Sequence, residues 1–471
     1  MNRRNFFRNG SLFTLGTAML HPFQGMASNV TGFSGLKSRK ARNIIMVISD
    51  GMSTGTLNMA DIYLSRRSGK GTRWLELYKE NMVSRALMDM ASANSIVTDS
   101  AAASSSWGGG VRIPNGSLNM SREGESFMPI WQKFKSVGKS AGCVTTVPVT
   151  HATPAGFCVN QKSRSDQESI AVKYLEHKFD VLLGGGNKYF DPEKRSDGKP
   201  MYREFEAHGY TVVKSRSSLL AASNSERLLG VFEEDALPYS IDLENNSELK
   251  KKVPTLAEMT EKAIDILKVN PEGFVLQVEA GKVDWAAHGN DIGGLIHDQI
   301  AHDEALDVVI KFAMENDDTL VIITTDHGNA NPGIIYGDSA NKNFDSIQKY
   351  RHSNDWILNG VGIETSIDQF KDRVQYANAI DITTDEAASV LNQYKGIGAE
   401  DGLYNPRHLP FQTLAEIQKK YNSVGWISMQ HSADYVELAM YGPGSQHLKP
   451  FIKNTDLHYL MLKAAEVEND F

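Results

Sequence analysis

The sequence has little cysteine and no long apolar run, and both absences narrow the class of protein that it can encode. Its two cysteines, Cys143 and Cys158, are too few for a disulfide-stapled scaffold and lack the CxxC spacing of a thiolate metal site. They could form one bridge or remain as buried thiols, and the sequence leaves both open. No segment reaches the length of a transmembrane helix, so we expect no membrane span in the mature protein.

Basic stretches are also scarce. The chain has 49 Lys and Arg against 57 Asp and Glu, a net charge of -8 at pH 7, and no basic stripe with interleaved aromatic residues. This balance argues against a nucleic-acid-binding surface. With 41% hydrophobic and 23% charged residues over 471 positions, the composition is typical of a soluble globular protein. The length allows one large α/β domain or two to three smaller ones.

The first residues have the features of an export signal. The pair Arg3-Arg4 is followed by two aromatic residues and by a modest apolar stretch over residues 12–20. That stretch is too short to span a bilayer, and residues 25–27 offer small side chains for cleavage. We therefore interpret residues 1–27 as a twin-arginine signal and 28–42 as a linker, which predicts export, in bacteria to the periplasm.

Three apolar runs each end on an acid. Residues 43–49 lead to Asp50, residues 273–278 lead to Glu279, and residues 320–325 lead to Asp326 and then His327. Short Val/Ile/Leu runs separated by helical stretches predict buried parallel strands. Because the carboxyl ends of such strands meet at one edge of the sheet, these acids should lie together. Their mutual repulsion predicts bound cations.

Helical and strand patterns alternate over residues 43–339. A capping box at Thr255 and Glu258 opens a helix ahead of the strand that leads to Glu279. A helix over about 298–315 precedes the strand that leads to Asp326. This alternation predicts an α/β fold, a mostly parallel sheet with helices on both faces.

The alternation breaks after about Gly337. Residues 340–425 are mostly polar and helical with few strand signals, and we interpret them as an insertion that caps the catalytic face. The run Val436–Met440 should then rejoin the sheet as a strand. The catalytic domain would accordingly comprise residues 43–339 and 426–471.

Further motifs could supply a nucleophile and more ligands. Asp284 and His288 stand four residues apart and so would share one face of a helix, although such a pair alone is more often a surface contact. Its position five residues after Glu279 favours a site. Ser100 follows Asp99 at a predicted helix start, where backbone N–H groups favour an oxyanion, although a plain N-cap would serve equally well.

Other candidates carry less information by themselves. The segment His151-Ala152-Thr153-Pro154 follows an apolar run, and Arg164, a side chain suited to bidentate phosphate binding, comes eleven residues after Thr153. His431 alone indicates little. Because no Gly-x-Ser-x-Gly elbow is present, a metal ion is the expected activator of Ser100.

Together the motifs resemble the alkaline phosphatase family. The ordered set is Asp-Gly-Met at 50–52, Asp-Ser-Ala-Ala at 99–102, His-Ala-Thr-Pro at 151–154, Val-Glu-x4-Asp-x3-His at 278–288, Thr-Asp-His at 325–327 and His-Ser at 431–432. The resemblance extends from Asn43 to Pro443. It implies a three-layer αβα sandwich with an inserted cap, or crown, at 340–425. It also implies hydrolysis of phosphate monoesters through a phosphoserine.

The resemblance further implies residue roles, two zinc ions and one magnesium ion per chain, and, since family members are commonly dimers, a homodimer as the candidate assembly. Ser100 would be the nucleophile and Arg164 the phosphate clamp. The implied ligands are Asp50, Asp326 and His327 for the zinc at Ser100, Asp284, His288 and His431 for the second zinc, and Asp50, Thr153 and Glu279 for magnesium.

Two positions vary within the family. His151 stands where some bacterial members have Asp, and an imidazole there could invite zinc into the third site. Trp285 stands where some have Lys, and losing that Lys should weaken the hold on phosphate. The alternatives are a phosphodiesterase or nucleotide pyrophosphatase on the same scaffold, or a non-catalytic phosphate- or metal-binding protein. A sulfatase is disfavoured, because Ser100 lacks the following Pro and Arg.

Overall fold

The computed structural model describes residues 40–224, 227–396, 399–400, 403–404 and 408–469. The predicted export signal and residues 28–39 of the predicted linker lie outside these described residues. No helix in the described ranges combines the length and the apolar character that crossing a bilayer requires.

The strands of the described residues are β1 Asn43–Ser49, β2 Ser84–Asp89, β3 Ser140–Pro148, β4 Val181–Gly185, β5 Tyr210–Val213, β6 Arg227–Val231, β7 Phe274–Ala280, β8 Thr319–Thr324, β9 Gly328–Asn329, β10 Gly333–Ile334, β11 Ala399–Glu400, β12 Leu403–Tyr404, β13 Val424–Gly425, β14 His431–Ser432, β15 Val436–Tyr441 and β16 Phe451–Lys453.

The α-helices of the same residues are α1 Thr54–Ser68, α2 Arg73–Lys79, α3 Ser100–Gly109, α4 Ile130–Ser136, α5 Ala152–Cys158, α6 Gln167–Glu176, α7 Met201–Ala207, α8 Arg216–Ala221, α9 Ser240–Glu244, α10 Ser247–Lys252, α11 Leu256–Leu267, α12 Lys282–His288, α13 Ile292–Glu315, α14 Ala340–Ser346, α15 Asn354–Asn359, α16 Ile367–Asn378, α17 Thr384–Tyr394, α18 Phe411–Asn422 and α19 Asn454–Ala464.

One large sheet organises the chain. Its ten described strands run in the order β16-β2-β15-β8-β1-β7-β3-β4-β6-β5. Only β15 among them is antiparallel to its neighbours, β2 and β8. The predicted strand at 436–440 therefore does rejoin the sheet, and the prediction of a mostly parallel α/β sheet is confirmed.

The three acid-terminated strands are neighbours at the centre of the sheet. β1 lies between β8 and β7, and Ile48 is in register with Glu279 on one side and with Thr324 on the other. All seven residues of β1 are buried, which is why its sequence is continuously apolar rather than alternating. The parallel register brings the three strands to the same edge at their carboxyl ends.

Helices cover both faces of this sheet. Alternate residues of β1 enter two different apolar clusters, Ile45 and Val47 in one, Ile44 and Met46 in the other. This division follows from the two-residue period of a strand. The first cluster includes side chains of α1, α11 and α13, and the second includes those of α3, α4 and α19. The result is the predicted three-layer αβα sandwich.

Helix starts follow their capping residues. In α11, Glu258 N donates to Thr255 Oγ1 at 3.2 Å and Thr255 N donates to Glu258 Oε2 at 3.1 Å, which is the predicted capping box. The prediction for α13 was wrong at its start, because the helix begins at Ile292 and not near 298. Asp291 caps it by accepting a hydrogen bond from Gly294 N at 3.0 Å, and the burial of this end outweighs the low helix propensity of its glycines.

Helices also dominate the segment 340–425, as its polar periodicity predicts. It contains α14 to α18, and Phe344, Ile357 and Leu414 belong to the same apolar cluster as Ile45 of β1.

Elsewhere in the core, Cys143 and Cys158 are both free thiols, buried, with their Sγ atoms 3.5 Å apart. The structure thus agrees with the buried-thiol interpretation.

Candidate metal centre and active site

Three buried acids meet at the carboxyl edge of the central strands. Asp50 directly follows β1, Glu279 lies near the end of β7, and Asp326 follows β8 by two residues; all three have no exposed surface. Asp50 Oδ1, Glu279 Oε1 and Asp326 Oδ2 accept no hydrogen bond from any described residue. Buried oxygens without donors are costly unless a cation or a proton satisfies them.

Their electrostatics point the same way. Burial, and then repulsion from Asp326, raises the pKa of Asp50 well above its usual range. Burial likewise raises the pKa of Glu279 to about 7. Carboxyls that resist ionisation without a counter-charge are the groups that a divalent ion neutralises.

Ser100 lies against this cluster. It is the first residue of α3, whose N-cap Asp99 accepts a hydrogen bond from Ala102 N at 2.9 Å through Oδ1. Ser100 Oγ is 3.3 Å from His327 Nε2. His327 Nε2 is in turn 3.2 Å from Asp326 Oδ2 and 3.5 Å from Asp50 Oδ1. Asp50, Asp326 and His327 therefore form a ligand group with a hydroxyl at its edge.

A second group forms beside the first. Asp284 and His288 lie one turn apart on α12, and His288 Nε2 is 3.5 Å from Asp284 Oδ2. His431 joins them because β14 pairs with β9, which follows His327 directly. His431 Nε2 is 3.6 Å from Asp284 Oδ1, and its ring stacks on that of His327 at a centroid distance of 3.7 Å.

The two histidines of this second group have fixed tautomers. His288 Nδ1 lies 2.7 Å from the carbonyl oxygen of Met429, and His431 Nδ1 lies 2.9 Å from that of Thr98. A carbonyl oxygen only accepts, so each Nδ1 carries the hydrogen. The Nε2 atoms then face each other at 3.1 Å. Two imidazole nitrogens that converge at that distance suit a shared cation.

The histidines around Asp284 stabilise its ionised form. Burial raises its pKa, but nearby His288, His327 and His431 outweigh burial and lower it to about 2. Asp284 is therefore the ionised member of the second group, with two imidazole nitrogens beside it. One carboxylate with two imidazoles is a ligand set that zinc accepts.

A third group lies on the other side of Asp50. One ligand atom each from Asp50, His151 and Glu279 fall within 4.8 Å of one another. Thr153 Oγ1 donates to Asp50 Oδ2 at 3.4 Å. His151 and Thr153 therefore both lie beside Asp50 in the structure. Thr153 lies in α5, which begins one residue after His151.

Arg164 is held between two side chains. Its Nη1 donates to Asp99 Oδ2 at 3.1 Å, and its Nη2 lies 3.1 Å from His151 Nε2. Because a guanidinium only donates, Nε2 of His151 accepts and Nδ1 carries the proton. Burial lowers the pKa of His151 to about 3, so the ring is neutral. Trp285 meets the His151 ring edge-on at 6.4 Å.

Sequence reasoning did not find several residues that contact the site. Asn329 Nδ2 donates to Asp284 Oδ1 at 2.7 Å, and Gln277 Nε2 donates to Glu279 Oε2 at 3.5 Å. Lys282 is buried with its Nζ 4.9 Å from the ring of Trp285. A buried Gln inside an apolar strand was a readable signal, since strand interiors rarely hold an amide without a partner. Asn329 offered none.

Comparisons with known proteins agree on one family. A family profile described as "Alkaline phosphatase" matches residues 41–467. The chain belongs to the alkaline phosphatase family. It is accordingly a phosphatase, and the family supports hydrolysis of phosphate monoesters.

Individual relatives extend over most of the chain. "Alkaline phosphatase 3" of Bacillus subtilis is 30% identical over 438 residues, which cover 90% of this chain and 89% of that protein. The alkaline phosphatase of Escherichia coli is 30% identical over 338 residues, covering 63% of this chain and 72% of that protein. The crystal structure of Thermus thermophilus alkaline phosphatase superposes with a TM-score of 0.84 at 33% identity, covering 92% of both chains.

Proposed function

We propose that the chain hydrolyses phosphate monoesters through a phosphoserine at Ser100, with two zinc ions and one magnesium ion. The observation that carries the proposal is the position of Ser100 Oγ, 3.3 Å from His327 Nε2 at the edge of a buried cluster of acids that lack donors. When bound, zinc would lower the pKa of a coordinated hydroxyl or water and stabilise the attacking and leaving oxygens.

The residues that would hold the ions divide by chemistry. The first zinc would take Asp50, Asp326 and His327, and the second Asp284, His288 and His431, sets of nitrogen and oxygen ligands that suit zinc. The charge balance suits the substrate, because four carboxylates offset only part of the six positive charges of three divalent ions. A site of that net charge favours a phosphate dianion.

Magnesium is the ion that we propose for the third group. Asp50, Thr153 and Glu279 offer oxygen ligands, which magnesium prefers. His151 would add an imidazole, which is the one feature of this group that favours zinc. Its Nε2 is engaged by Arg164 at 3.1 Å, whereas its Nδ1 is buried without a partner among the described residues. The three oxygen ligands are what supports magnesium.

The reaction would proceed in two displacements at phosphorus. Ser100 Oγ forms a bond to phosphorus as the bond to the leaving alcohol breaks; the hydroxyl proton is lost to water, and the alkoxide regains one from water. Water then attacks the phosphoserine, which releases inorganic phosphate and restores Ser100. Arg164, oriented by Asp99 and His151, would bind two non-bridging oxygens in both steps.

The decisive experiment compares two esters and two serines. The zinc- and magnesium-loaded enzyme is assayed on p-nitrophenyl phosphate and its bis ester across pH 6 to 10, alongside Ser100→Ala. We expect strong monoester activity that rises into alkaline pH, and a loss of at least about 10³-fold in Ser100→Ala. Ser106→Ala is the matched control, because Ser106 lies in the same helix and its hydroxyl donates, within the described part of the chain, to the Ala102 carbonyl and not to a site residue.

Preference for the diester would contradict the proposal and favour a phosphodiesterase on the same scaffold. Equal activity of Ser100→Ala and the parent enzyme would exclude the phosphoserine. Loss of activity in both serine variants would indicate damage to α3 rather than removal of a nucleophile.

Three further properties belong to the same proposal. Residues 1–27 would direct export to a bacterial periplasm by the twin-arginine route, residues 340–425 would cap the catalytic face, and the mature chain would form a homodimer. Replacing Arg3-Arg4 by Lys-Lys should retain the protein in the cytoplasm, as fractionation would measure. Size-exclusion chromatography with light scattering should give twice the chain mass.

A further inference from the structure

Asn329 connects two of the three ligands of the second zinc group. Its Nδ2 donates to Asp284 Oδ1 at 2.7 Å and approaches the Asp284 carbonyl oxygen at 3.3 Å. Its backbone is the register partner of His431 in the pairing of β9 with β14. A change at Asn329 therefore reaches a carboxylate ligand through the side chain and an imidazole ligand through the backbone.

The surroundings of Asn329 hold it in place. The residue has no exposed surface. Its backbone N donates to Ser53 Oγ at 3.0 Å, and the same hydroxyl donates to the Asn329 carbonyl oxygen at 3.0 Å. A Cβ added at Gly51 would lie 2.5 Å from the same oxygen, Asp284 Oδ1. The carboxylate is thus closely packed by the Gly51 backbone as well as by the amide donor.

The donor has a specific electrostatic role. An N–H group aimed at Oδ1 favours the ionised carboxylate and fixes the rotation of its plane. Backbone carbonyls orient the two histidines of the group in a similar way. The Met429 carbonyl accepts a hydrogen bond from His288, and the Thr98 carbonyl accepts one from His431. Partners of this kind orient metal ligands before the metal binds. Asn329 differs from the carbonyls because a substitution can remove it.

We propose that Asn329 is a positioning residue that sets the zinc affinity of the Asp284–His288–His431 group. It holds Asp284 in its ligating orientation and keeps His431 in register, without touching the ion or the substrate. This inference rests on the assignment of zinc to that group in the proposed function.

The test measures zinc affinity separately from activity. Asn329→Leu keeps the number and the branching of the side chain's heavy atoms and removes its donor, and Ser432→Ala is the matched control. Ser432 lies on β14 next to His431 and opposite Gly328 of β9, and its side chain bonds to Asn331 and Asp434 rather than to a ligand. Metal-free parent and variants are titrated with zinc against a chromophoric chelator, and their thermal unfolding is recorded without metal.

We expect Asn329→Leu to bind one of the two zinc ions about 10- to 100-fold more weakly than the parent, with the other unchanged. Its activity should recover as free zinc is raised, and its metal-free melting temperature should match that of the parent. Ser432→Ala should bind both ions normally.

Parent-like affinity for both ions in Asn329→Leu would overturn the inference, as would equal weakening of both ions or a lowered metal-free melting temperature. The parent enzyme reports on the underlying assignment by itself. If the parent binds fewer than two zinc ions, the proposed function fails before any variant is compared.

Discussion

At the scale of single residues, Trp285 lies next to the ligand Asp284 and close to His151. Its indole lies 6.4 Å from the neutral His151 ring and 4.9 Å from Nζ of the buried Lys282. Burial lowers the pKa of Lys282, whose Nζ also lies 3.5 Å from the ring of Tyr239. Trp285 is thus close to a buried lysine side chain as well as to His151.

Introducing a lysine at this position should change how the product is held. We expect Trp285→Lys to tighten competitive inhibition by inorganic phosphate about three- to tenfold, because an added ammonium gains a charge-assisted contact with the anion. Inhibition constants at fixed pH measure it, with Trp285→Leu as the control that removes the indole without adding charge. An inhibition constant in Trp285→Lys that is unchanged from the parent would contradict this expectation.

At the scale of elements, α3 and α5 pack with their backbones in contact. A Cβ on Gly108 of α3 would lie 1.9 Å from the Gly156 carbonyl oxygen of α5, and one on Gly156 would lie 2.1 Å from Ser104 Oγ. The first helix begins at Ser100 and the second carries Thr153. Glycine at this crossing therefore sets the distance between the candidate nucleophile and the third metal group.

A methyl group at the crossing should separate the two helices. We expect Gly156→Ala to lower the free energy of unfolding by about 1–3 kcal/mol, the usual cost of overpacking, and to reduce activity as Ser100 shifts. Urea denaturation measures the first effect. Gly337→Ala, where a Cβ would meet nothing within 4 Å, should stay within about 0.5 kcal/mol of the parent. Equal stability of the two variants would contradict this account of the packing.

At the scale of the whole molecule, the metal groups join segments that are remote in sequence. Asp50, Glu279 and Asp326 lie at the ends of three different strands, and His431 joins Asp284 and His327 from beyond the segment 340–425. Ions bound there would link these segments and neutralise buried carboxyls. Ligands that bind only the folded state stabilise it by mass action.

Removal of the metals should therefore lower stability as well as activity. We expect chelation to reduce the melting temperature by several degrees, since each site filled at about 100 times its Kd contributes about 2.7 kcal/mol. Scanning calorimetry measures this, and zinc with magnesium should restore it fully, whereas magnesium alone should restore less. A melting temperature indifferent to chelation would mean that the groups hold no ion.

Much of this arrangement was predictable because it depends on local patterns. A continuous apolar run that ends in an acid predicts a buried strand and the place of its last side chain, as for β1 and Asp50. The four-residue spacing of Asp284 and His288 places both on one helix face. Thr255 and Glu258 mark the start of α11 by direct hydrogen bonds. In each case the decisive contacts lie within a few residues, so the sequence alone determined them.

The rest was decided by contacts between distant segments. Nothing local states that β1 lies between β8 and β7, that the two-residue strands β9 and β14 pair, or that Asn329 faces Asp284. The start of α13 at Ile292 likewise depends on burial, which overrides the low propensity of its glycines. The tautomers of His288 and His431 follow from carbonyls of Met429 and Thr98 that carry no side-chain signal. Backbone groups are the same in every residue, so only the tertiary structure could decide which of them meet the site.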